Sequence, residues 1–310
     1  MSTCWAASPV RLARARACVC ACVCAMSGAR AWADTPRDAP AAIEVDRDDS
    51  PPARGELGFD GGAPLPTWGL SLATSWLERP ITIDATEPVH RRQTLALGGA
   101  LALGTSTVID ARLGLSHQIG DRLRAFGDSS ALDRYALGDL HLGARIRVVG
   151  DARRAAFVRS DLTLPTGDDG DFAGEASWSL AWRLVGRVTL PGDVVLAATA
   201  GIRLRGIEVL VGDRLVGDEL AGAVGVAVPL PPICPLWCVR DQVKLTAELA
   251  GVLGDDVGGD SGPSPVEARL GLVTRPQPWL EFAARVGSGL ADQIGSPRVR
   301  AMLELAYIAP

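Results

Sequence analysis

Between about residue 68 and residue 307, apolar residues alternate with polar, charged or small residues in segments about ten residues long, each followed by a turn. The segment 139–148 is typical, with Leu142 and Ile146 on one parity and Arg145 and Arg147 on the other. Successive side chains on a β-strand point to opposite faces. Each segment therefore predicts a strand with one apolar face and one charged face.

This periodicity predicts about twelve strands, with ends uncertain by about two to four residues. That number is even, and each strand is near the nine to eleven residues that cross a bilayer as a β-strand. The predicted strands are Gly69–Leu77, Thr94–Gly104, Val108–His117, Leu137–Val148, Ala155–Leu164, Ser177–Val188, Val194–Arg205, Asp218–Val228, Val243–Leu253, Val266–Thr274, Trp279–Gly287 and Arg298–Tyr307.

Two folds can use such strands. A soluble β-sandwich buries the apolar faces, whereas a transmembrane barrel turns them to lipid and the charged faces to its lumen. The connections favour the barrel, since long polar joins such as 118–136 and 254–265 alternate with tight ones such as 105–107 and 275–278. Outer-membrane barrels have long loops on one side and short turns on the other. We therefore predict an all-β, antiparallel, up-and-down transmembrane barrel at residues 65–310.

The N-terminus resembles an export signal. Three arginines lie at residues 11–16, a short apolar core follows at residues 17–26, and Ala31 and Ala33 provide the small residues that signal peptidase reads. We predict a signal peptide at residues 1–33. The sequence indicates no transmembrane helix, because no run of eighteen apolar residues exists.

Two alternatives for the N-terminus stay open, namely cleavage after Ala29 and lipoprotein processing at Cys22. The next segment, residues 34–64, holds Pro, Ala, Asp and Arg with almost no large apolar residue. Such a composition does not bury enough apolar surface to fold. It predicts a disordered periplasmic leader before the barrel.

Two of the seven cysteines, Cys234 and Cys238, lie outside the predicted signal peptide. In an oxidising compartment, an isolated pair this close predicts a disulfide that closes a small loop. The alternative, a metal site, needs further ligands, and no other Cys or His lies nearby in the sequence. We predict the disulfide and no metal site.

The charged parity of the strands gives the predicted lumen lining. Lys or Arg facing lipid at the midplane costs about 2–4 kcal/mol, so the charged side chains are expected to face inward. Cations exceed anions by a few, which would favour anions in an open pore. The predicted lumen-lining residues are Asp110, Arg112, Asp139, His141, Arg145, Arg147, Arg159, Asp161, Arg183, Arg203, Glu219, Glu248, Arg269, Glu281, Arg285 and Glu304.

Three segments carry a family resemblance: Gly138–Arg145, Asp161–Gly167 and Gly295–Tyr307. They resemble outer-membrane transporter-type barrels and the barrel half of myxobacterial outer-membrane-protein-A-like proteins. The resemblance implies location in the outer membrane of a Gram-negative bacterium, with outer-membrane lipid as a partner. It also implies that the barrel-assembly machinery reads the alternating last strand.

Catalytic chemistry is not indicated. The histidines are His90, His117 and His141, and adjacent residues such as Ser116 and His117 point to opposite faces of a strand. No hydrolase or phosphate-loop motif is present. We expect no enzyme activity and no cofactor, and a net charge of −5 gives no reason to expect nucleic-acid binding.

The acidic loops 167–171 and 254–260 could bind Ca²⁺, but their spacing fits no known calcium loop, so solvated loop tips are the preferred interpretation. Two functions remain open. The barrel is either a channel or transporter for small solutes, or a non-conducting structural barrel whose lumen is filled by ion pairs.

Overall fold

The structure is a computed structural model. It describes residues 68–83, 86–104, 106–121, 132–151, 153–167, 173–175, 177–211, 214–230, 243–254, 265–277, 279–290 and 297–309. The predicted signal peptide, the leader and the cysteine pair lie outside the described residues.

Twelve antiparallel strands form one closed barrel, in which each strand pairs with the barrel strands before and after it and the first pairs with the last. Closure leaves no unpaired edge, which a sheet needs in order to cross lipid. The barrel strands are β1 (Trp68–Ile83), β2 (Thr86–Leu103), β3 (Thr107–Gly120), β4 (Leu132–Gly150), β5 (Arg154–Leu164), β6 (Ser179–Thr189), β7 (Val195–Arg205), β10 (Glu219–Pro229), β11 (Lys244–Gly254), β12 (Val266–Gln277), β13 (Leu280–Gly289) and β14 (Val299–Ile308). The predicted barrel fold is confirmed.

The largest differences from the predicted strands lie at two connections. The predicted long join between the first two strands is mostly a hairpin, because β1 continues to Ile83 and β2 already begins at Thr86. The join between β7 and β10 contains a second, small hairpin of β8 (Val209–Val211) and β9 (Arg214–Val216). Strand pairing beyond the bilayer needs no apolar alternation, so periodicity did not reveal either extension.

The two barrel faces differ sharply in exposure. The outward face carries exposed aliphatic side chains, and Leu97 at 64% and Val286 at 59% are examples. The inward face carries charged and small side chains, many of them buried, such as Arg300 at 1% and Glu267 at 6%. A soluble protein does not leave such a continuous apolar surface in water. The barrel surface is therefore one that fits a lipid bilayer.

The residue pairing around the barrel sets its width. When the residue pairing is followed from strand to strand around the barrel, it returns to β1 about 14 residues away from the residue at which it started. In a barrel of twelve strands this displacement corresponds to a strand tilt of about 40°. With strands about 4.8 Å apart, opposite backbone walls are about 24 Å apart. That distance leaves room inside for long side chains on all walls.

The strand β4 contains a register shift where Leu113 and Leu115 of β3 pair with Leu140 and Leu137. A β-bulge of this kind places two residues of one strand opposite one of its neighbour. Here Gly138 and Asp139 are both buried although they are consecutive. Asp139 has the same parity as Gly143 and Arg145, and the bulge brings Gly138 to the same buried face.

One end of the barrel carries an aromatic cluster. Tyr307 lies between Trp68, at a ring distance of 5.2 Å, and Trp279, at 6.1 Å. Interfacial Trp and Tyr are typical of a membrane–water boundary.

At the same end the turn from β4 to β5 is closed by Asp151, whose carboxylate accepts hydrogen bonds from the backbone N–H groups of Arg154 and Arg153. These two hydrogen bonds lower the pKa of Asp151.

Candidate pore lining of the barrel

The sixteen residues predicted above to line the lumen all lie on barrel strands. Burial alternates along each strand, and these residues fall on the buried or half-buried parity. Two charged residues on the buried face, Arg92 and Glu175, lie in segments that the sequence predicted as loops. Arg92 is 1% exposed and donates from Nε to the hydroxyl oxygens of Ser116 (3.1 Å) and Thr94 (3.3 Å).

The first ion cluster crosses three strands. Gly143 on β4 pairs with Asp110 on β3 and with Asp161 on β5, so two carboxylates flank the glycine. Arg159 bridges them, with Nη1 and Nη2 at 3.0 and 3.1 Å from the Asp110 oxygens and Nε at 2.9 Å from Asp161. A Cβ on residue 143 would lie 2.6 Å from Arg159 Nη2 and would also collide with Asp110. The glycine leaves the space through which the guanidinium passes along the wall.

A second cluster repeats this geometry with the charges exchanged. Gly287 on β13 pairs with Arg269 on β12 and with Arg300 on β14. Glu267 lies between the two arginines, at 2.8 Å from Arg300 Nε and 3.1 Å from Arg269 Nε. A Cβ on residue 287 would lie 2.7 Å from Glu267 Oε1. Here two cations flank the glycine and one carboxylate bridges them.

A third network organises the end of the barrel opposite the aromatic cluster. The bulged Asp139 accepts hydrogen bonds from the backbone N–H groups of Gly167 (2.8 Å) and Glu175 (2.7 Å) in the loop between β5 and β6. A Cβ at Gly167 or Gly174 would approach Asp139 Oδ1 to 2.9 or 2.8 Å. The described parts of this loop, next to Gly167 and Glu175, therefore lie against the wall at the Asp139 carboxylate.

The same loop delivers Glu175 to a row of charges on the next strands. Glu175 Oε1 lies 3.2 Å from Arg205 Nη2 and 3.7 Å from Arg203 Nη1. Arg205 Nη1 lies 3.1 Å from Glu219 Oε1, and the Arg205 backbone N–H donates to Asp218 Oδ1 at 3.0 Å. Ion pairs thus run from the loop between β5 and β6 through β7 to β10.

Long side chains on β6 and β7 lie opposite small ones. Arg183 pairs with Gly201, and a Cβ on residue 201 would lie 2.8 Å from Arg183 Cγ. In the same register Arg203 lies opposite Ala181, and Arg187 lies opposite Ala197. The small partners leave room beside these strands for the stems of the arginines.

The lining also has apolar patches that the sequence analysis did not single out. Phe157 and Val185 are both 7% exposed and form one patch with Ala155. The guanidinium carbon of Arg145 lies 5.1 Å from the Phe157 ring centre, within the range of a cation–π contact. A strand periodicity of two predicts which way a residue points, but it does not identify which inward positions pack together.

The histidines have separate surroundings. His90 Nε2 lies 3.2 Å from an Asp121 oxygen and His117 Nε2 lies 3.1 Å from an Asp133 oxygen. His141 Nδ1 lies 3.2 Å from the Thr163 hydroxyl on the inner face. Within the described ranges, no group of three or more His, Cys, Asp or Glu side chains could hold a metal ion.

Two further predictions from the sequence concern residues that the structure does not describe. The Cys234–Cys238 disulfide and most of both acidic loops lie among residues that the structure does not describe, so they stay predictions. The part of the chain that is described contains no α-helix long and apolar enough to cross a bilayer.

A closed twelve-stranded barrel with an aliphatic outer surface, an ionic inner surface and an aromatic rim defines an outer-membrane β-barrel. This class agrees with the resemblance noted in the sequence. No protein-family model matches the chain, and no curated protein matches it.

Solved structures resemble the chain in fold. The outer membrane channel COG4313 from Pseudomonas putida F1 is 14% identical with a TM-score of 0.54, and the match covers 79% of this chain and 96% of that chain. The NanC porin is 4% identical with a TM-score of 0.49, covering 78% of this chain and 99% of that one. The KdgM porin is 8% identical with a TM-score of 0.45, covering 77% and 98%. At these identities the likeness concerns the fold.

Proposed function

We propose that this barrel is a channel through which small solutes cross the outer membrane along a charged lumen. The observation that carries the proposal is the way the ionic side chains are accommodated. The charged ends of Arg159 and Glu267 each lie over a glycine of a neighbouring strand, against the wall. Side chains that lie flat line a lumen without crossing it. The similar fold of a protein described as an outer membrane channel supports the proposal.

The expected preference is for anions. Fixed cations along a pore lower the entry barrier for anions and raise it for cations. Among the described inward-facing residues, the cations outnumber the carboxylates. The cations are Arg92, Arg112, Arg145, Arg147, Arg159, Arg183, Arg187, Arg203, Arg205, Lys244, Arg269, Arg285 and Arg300, and the carboxylates are Asp110, Asp139, Asp161, Glu175, Glu219, Glu248, Glu267, Glu281 and Glu304.

A second candidate is a structural barrel that does not conduct. The observation that favours it is the depth of the ion pairs, with Arg300 at 1%, Arg159 at 6% and Glu304 at 6% exposure. Charges buried to this degree and paired with one another can fill a lumen instead of lining a path. The two candidates make opposite predictions for conductance.

The deciding experiment is single-channel recording in planar bilayers with a salt gradient, together with solute uptake into liposomes. We expect the wild-type barrel to conduct with a reversal potential that shows anion preference. Replacing both Arg203 and Arg285 by Glu should shift the reversal potential towards cation preference. Arg153→Glu is the matched control, because Arg153 is exposed in a turn outside the barrel wall. Each variant is checked for folding by the mobility of unheated and heated samples in gels. A barrel that inserts cleanly but neither conducts nor admits solutes would establish the structural barrel.

We also propose an orientation for the barrel, with the aromatic rim and both barrel termini on the periplasmic side. The alternation of tight turns and long loops supports this orientation. Cysteines introduced near Asp128, Asp169 and Asp256, in the long loops, should react with an impermeant reagent on intact cells. A cysteine at Gly192, in the tight turn before β7, should react only after permeabilisation. The opposite labelling pattern would invert the orientation.

A further inference from the structure

Three arginines lie side by side on the inner wall in the half of the barrel near the aromatic rim. Arg145 on β4 pairs with Arg159 on β5, which pairs in turn with Arg183 on β6. Arg147 and Arg187 lie on the same inward parity of β4 and β6, nearer the rim. Like charges directly opposite one another on neighbouring strands are destabilising, so such a row favours a bound anion. These five arginines are called the arginine patch below.

Few carboxylates balance the arginine patch. Asp110 and Asp161 adjoin it, and both contact Arg159. The next inward register away from the rim adds a further arginine, Arg112, and no carboxylate on β3 to β6. The inward residues of β2 and β7 beside the patch are glycine, alanine, valine and threonine. The five arginines and two aspartates therefore leave an excess of three positive charges on this part of the wall.

The carboxylates of the opposite wall have cations of their own. In the half of the barrel near the rim, each inward glutamate of β11 to β14 lies beside a cation. The pairs are Glu248 with Arg269 in register, Glu281 with Arg275 at 2.6 Å, and Glu304 with Arg285 at 3.6 Å. Neutralising the arginine patch therefore takes an anion from outside the described part of the barrel.

The chain carries a matching anion next to the barrel. Residues 34–67 precede β1 and lie outside the described residues, and they hold eight carboxylates and three arginines, a net charge of −5. The densest part is Glu44–Asp49, with the sequence EVDRDD and a net charge of −3. This part is called the acidic segment below. Its excess of negative charge equals the excess of positive charge at the arginine patch.

The acidic segment is close enough in the chain to reach the arginine patch. β1 begins at Trp68, which stacks with Tyr307 in the aromatic rim, so the preceding residues are attached at that end. Arg159 is five residues from the start of β5 at the same rim, about 17 Å along the strand. The eighteen residues 50–67 span up to about 60 Å when extended. That length exceeds this depth and the width of the barrel together.

The wall beside the start of β1 also leaves room for a chain. Near the rim, the inward residues of β1 and β2 have small side chains or none. They are Gly69, Ser71, Ala73, Gly98, Ala100 and Ala102. Along these two strands, no bulky side chain lies between the start of β1 and the lumen.

We propose that the acidic segment Glu44–Asp49 docks on the arginine patch inside the barrel. Its carboxylates accept hydrogen bonds from the guanidinium groups, and such charge-assisted pairs are among the stronger hydrogen bonds in proteins. Because the segment is tethered by a linker long enough for the span, docking is intramolecular and needs little intrinsic affinity. The docked segment occupies the half of the lumen near the rim. The inference goes beyond the proposed function, because the chain itself supplies a competitor for an anionic solute.

The test measures the reaction of a single cysteine with a maleimide on a polymer too bulky to enter the lumen. It uses the full-length chain in detergent, with the seven native cysteines replaced by Ser. Val45→Cys reports on the acidic segment, and Thr35→Cys, nine residues before that segment, is the reference. Each rate is divided by the rate in urea-unfolded protein, which removes the effect of neighbouring charges. We expect Val45→Cys to react about tenfold more slowly than Thr35→Cys, because a segment tethered at roughly millimolar effective concentration stays docked most of the time.

Charge reversal in the barrel identifies the docking site. Arg147→Glu combined with Arg187→Glu should bring Val45→Cys to within about twofold of the reference rate, since attractive contacts become repulsive. Arg153→Glu combined with Arg154→Glu is the matched control. It reverses two charges at the same rim on exposed residues at the turn between β4 and β5, and it should leave the protection unchanged.

A second pair of variants leaves the barrel untouched. Asp48→Asn combined with Asp49→Asn removes two of the negative charges of the acidic segment and should abolish most of the protection. Asp38→Asn combined with Asp60→Asn removes the same charge from residues outside that segment and should retain the protection. Because these substitutions lie before β1, they decide the question even if the arginine variants fail to fold.

Four results would overturn the inference: equal reaction of Val45→Cys and Thr35→Cys, equal effects of the two arginine double variants, protection that survives Asp48→Asn with Asp49→Asn, or protection that disappears on dilution. The last result would place the segment in a second copy of the chain. Each variant is first shown to be folded by its gel mobility. The reaction rate does not depend on conduction, so a barrel that does not conduct refutes only the channel. A conducting barrel with an unprotected Val45→Cys refutes only the docking.

Discussion

Replacing Arg159 by Gln would reveal whether the ion clusters of the barrel wall are removed from water. Arg159 is the only described residue that bridges Asp110 and Asp161, whose side chains are 7% and 8% exposed. Without the guanidinium, the two carboxylates face each other across Gly143 with no bridging cation. The substitution keeps the length of the side chain approximately and removes its charge.

The expected cost is large. Removing one partner of a buried ion pair destabilises a protein by about 3–5 kcal/mol, because the remaining charge is left uncompensated. With an m-value of about 2 kcal/mol per molar urea, this corresponds to a fall in the unfolding midpoint of roughly 2 M. The assay is urea unfolding of the purified barrel in lipid vesicles, followed by tryptophan fluorescence.

A neutral cluster serves as the companion variant. Combining Arg159→Gln with Asp110→Asn and Asp161→Asn removes all three charges and retains hydrogen-bonding groups. Because replacing a whole buried ion cluster is often nearly neutral, this triple variant should unfold within about 1 kcal/mol of wild type. Arg145→Gln removes the same charge from a residue that contacts Phe157, and it should cost less than about 2 kcal/mol.

The reasoning is refuted if Arg159→Gln alone unfolds within about 1 kcal/mol of wild type, a cost typical of solvent-exposed pairs. That result would mean that water in the lumen solvates both carboxylates, whereas the expected result shows that this part of the wall is dry.

Three further predictions concern the lipid face, the cysteine pair and the inward loop. Leu142→Arg places a charge against lipid and should destabilise the inserted barrel by about 2–4 kcal/mol, which impairs assembly. Arg145→Ala should assemble normally. If both variants assemble with equal yield, the assignment of the two faces is contradicted. Cys234 and Cys238 should resist alkylation in exported, unreduced protein, and free thiols would exclude the disulfide. Asp139→Ala removes two charge-assisted hydrogen bonds to the β5–β6 loop, so a glutamate-specific protease should cleave this loop of the folded barrel about tenfold faster. Unchanged cleavage would show that Arg203 and Arg205, which contact Glu175, hold the loop without Asp139.

The sequence by itself determined the number of barrel strands and the direction in which their side chains point. Both follow from a periodicity of two, which is a local property that each segment carries without its neighbours. Alternate residues of a strand point to opposite faces of the barrel wall. Leu97 and Val286 therefore lie on the exposed face, and Arg145 and Glu267 lie on the buried one.

Only the tertiary structure decided which charges meet. Arg159 contacts Asp110, which is 49 residues away in the chain, and Glu267 contacts Arg300, 33 residues away. These contacts depend on the register between strands and on a glycine at the crossing point, neither of which a single segment encodes. Likewise, the β1–β2 hairpin beyond residue 78 and the inward placement of Glu175 depend on pairing and loop folding outside the apolar region, where no alternation is needed. The chemistry of the lumen therefore arises from strand register, whereas the barrel itself arises from local pattern.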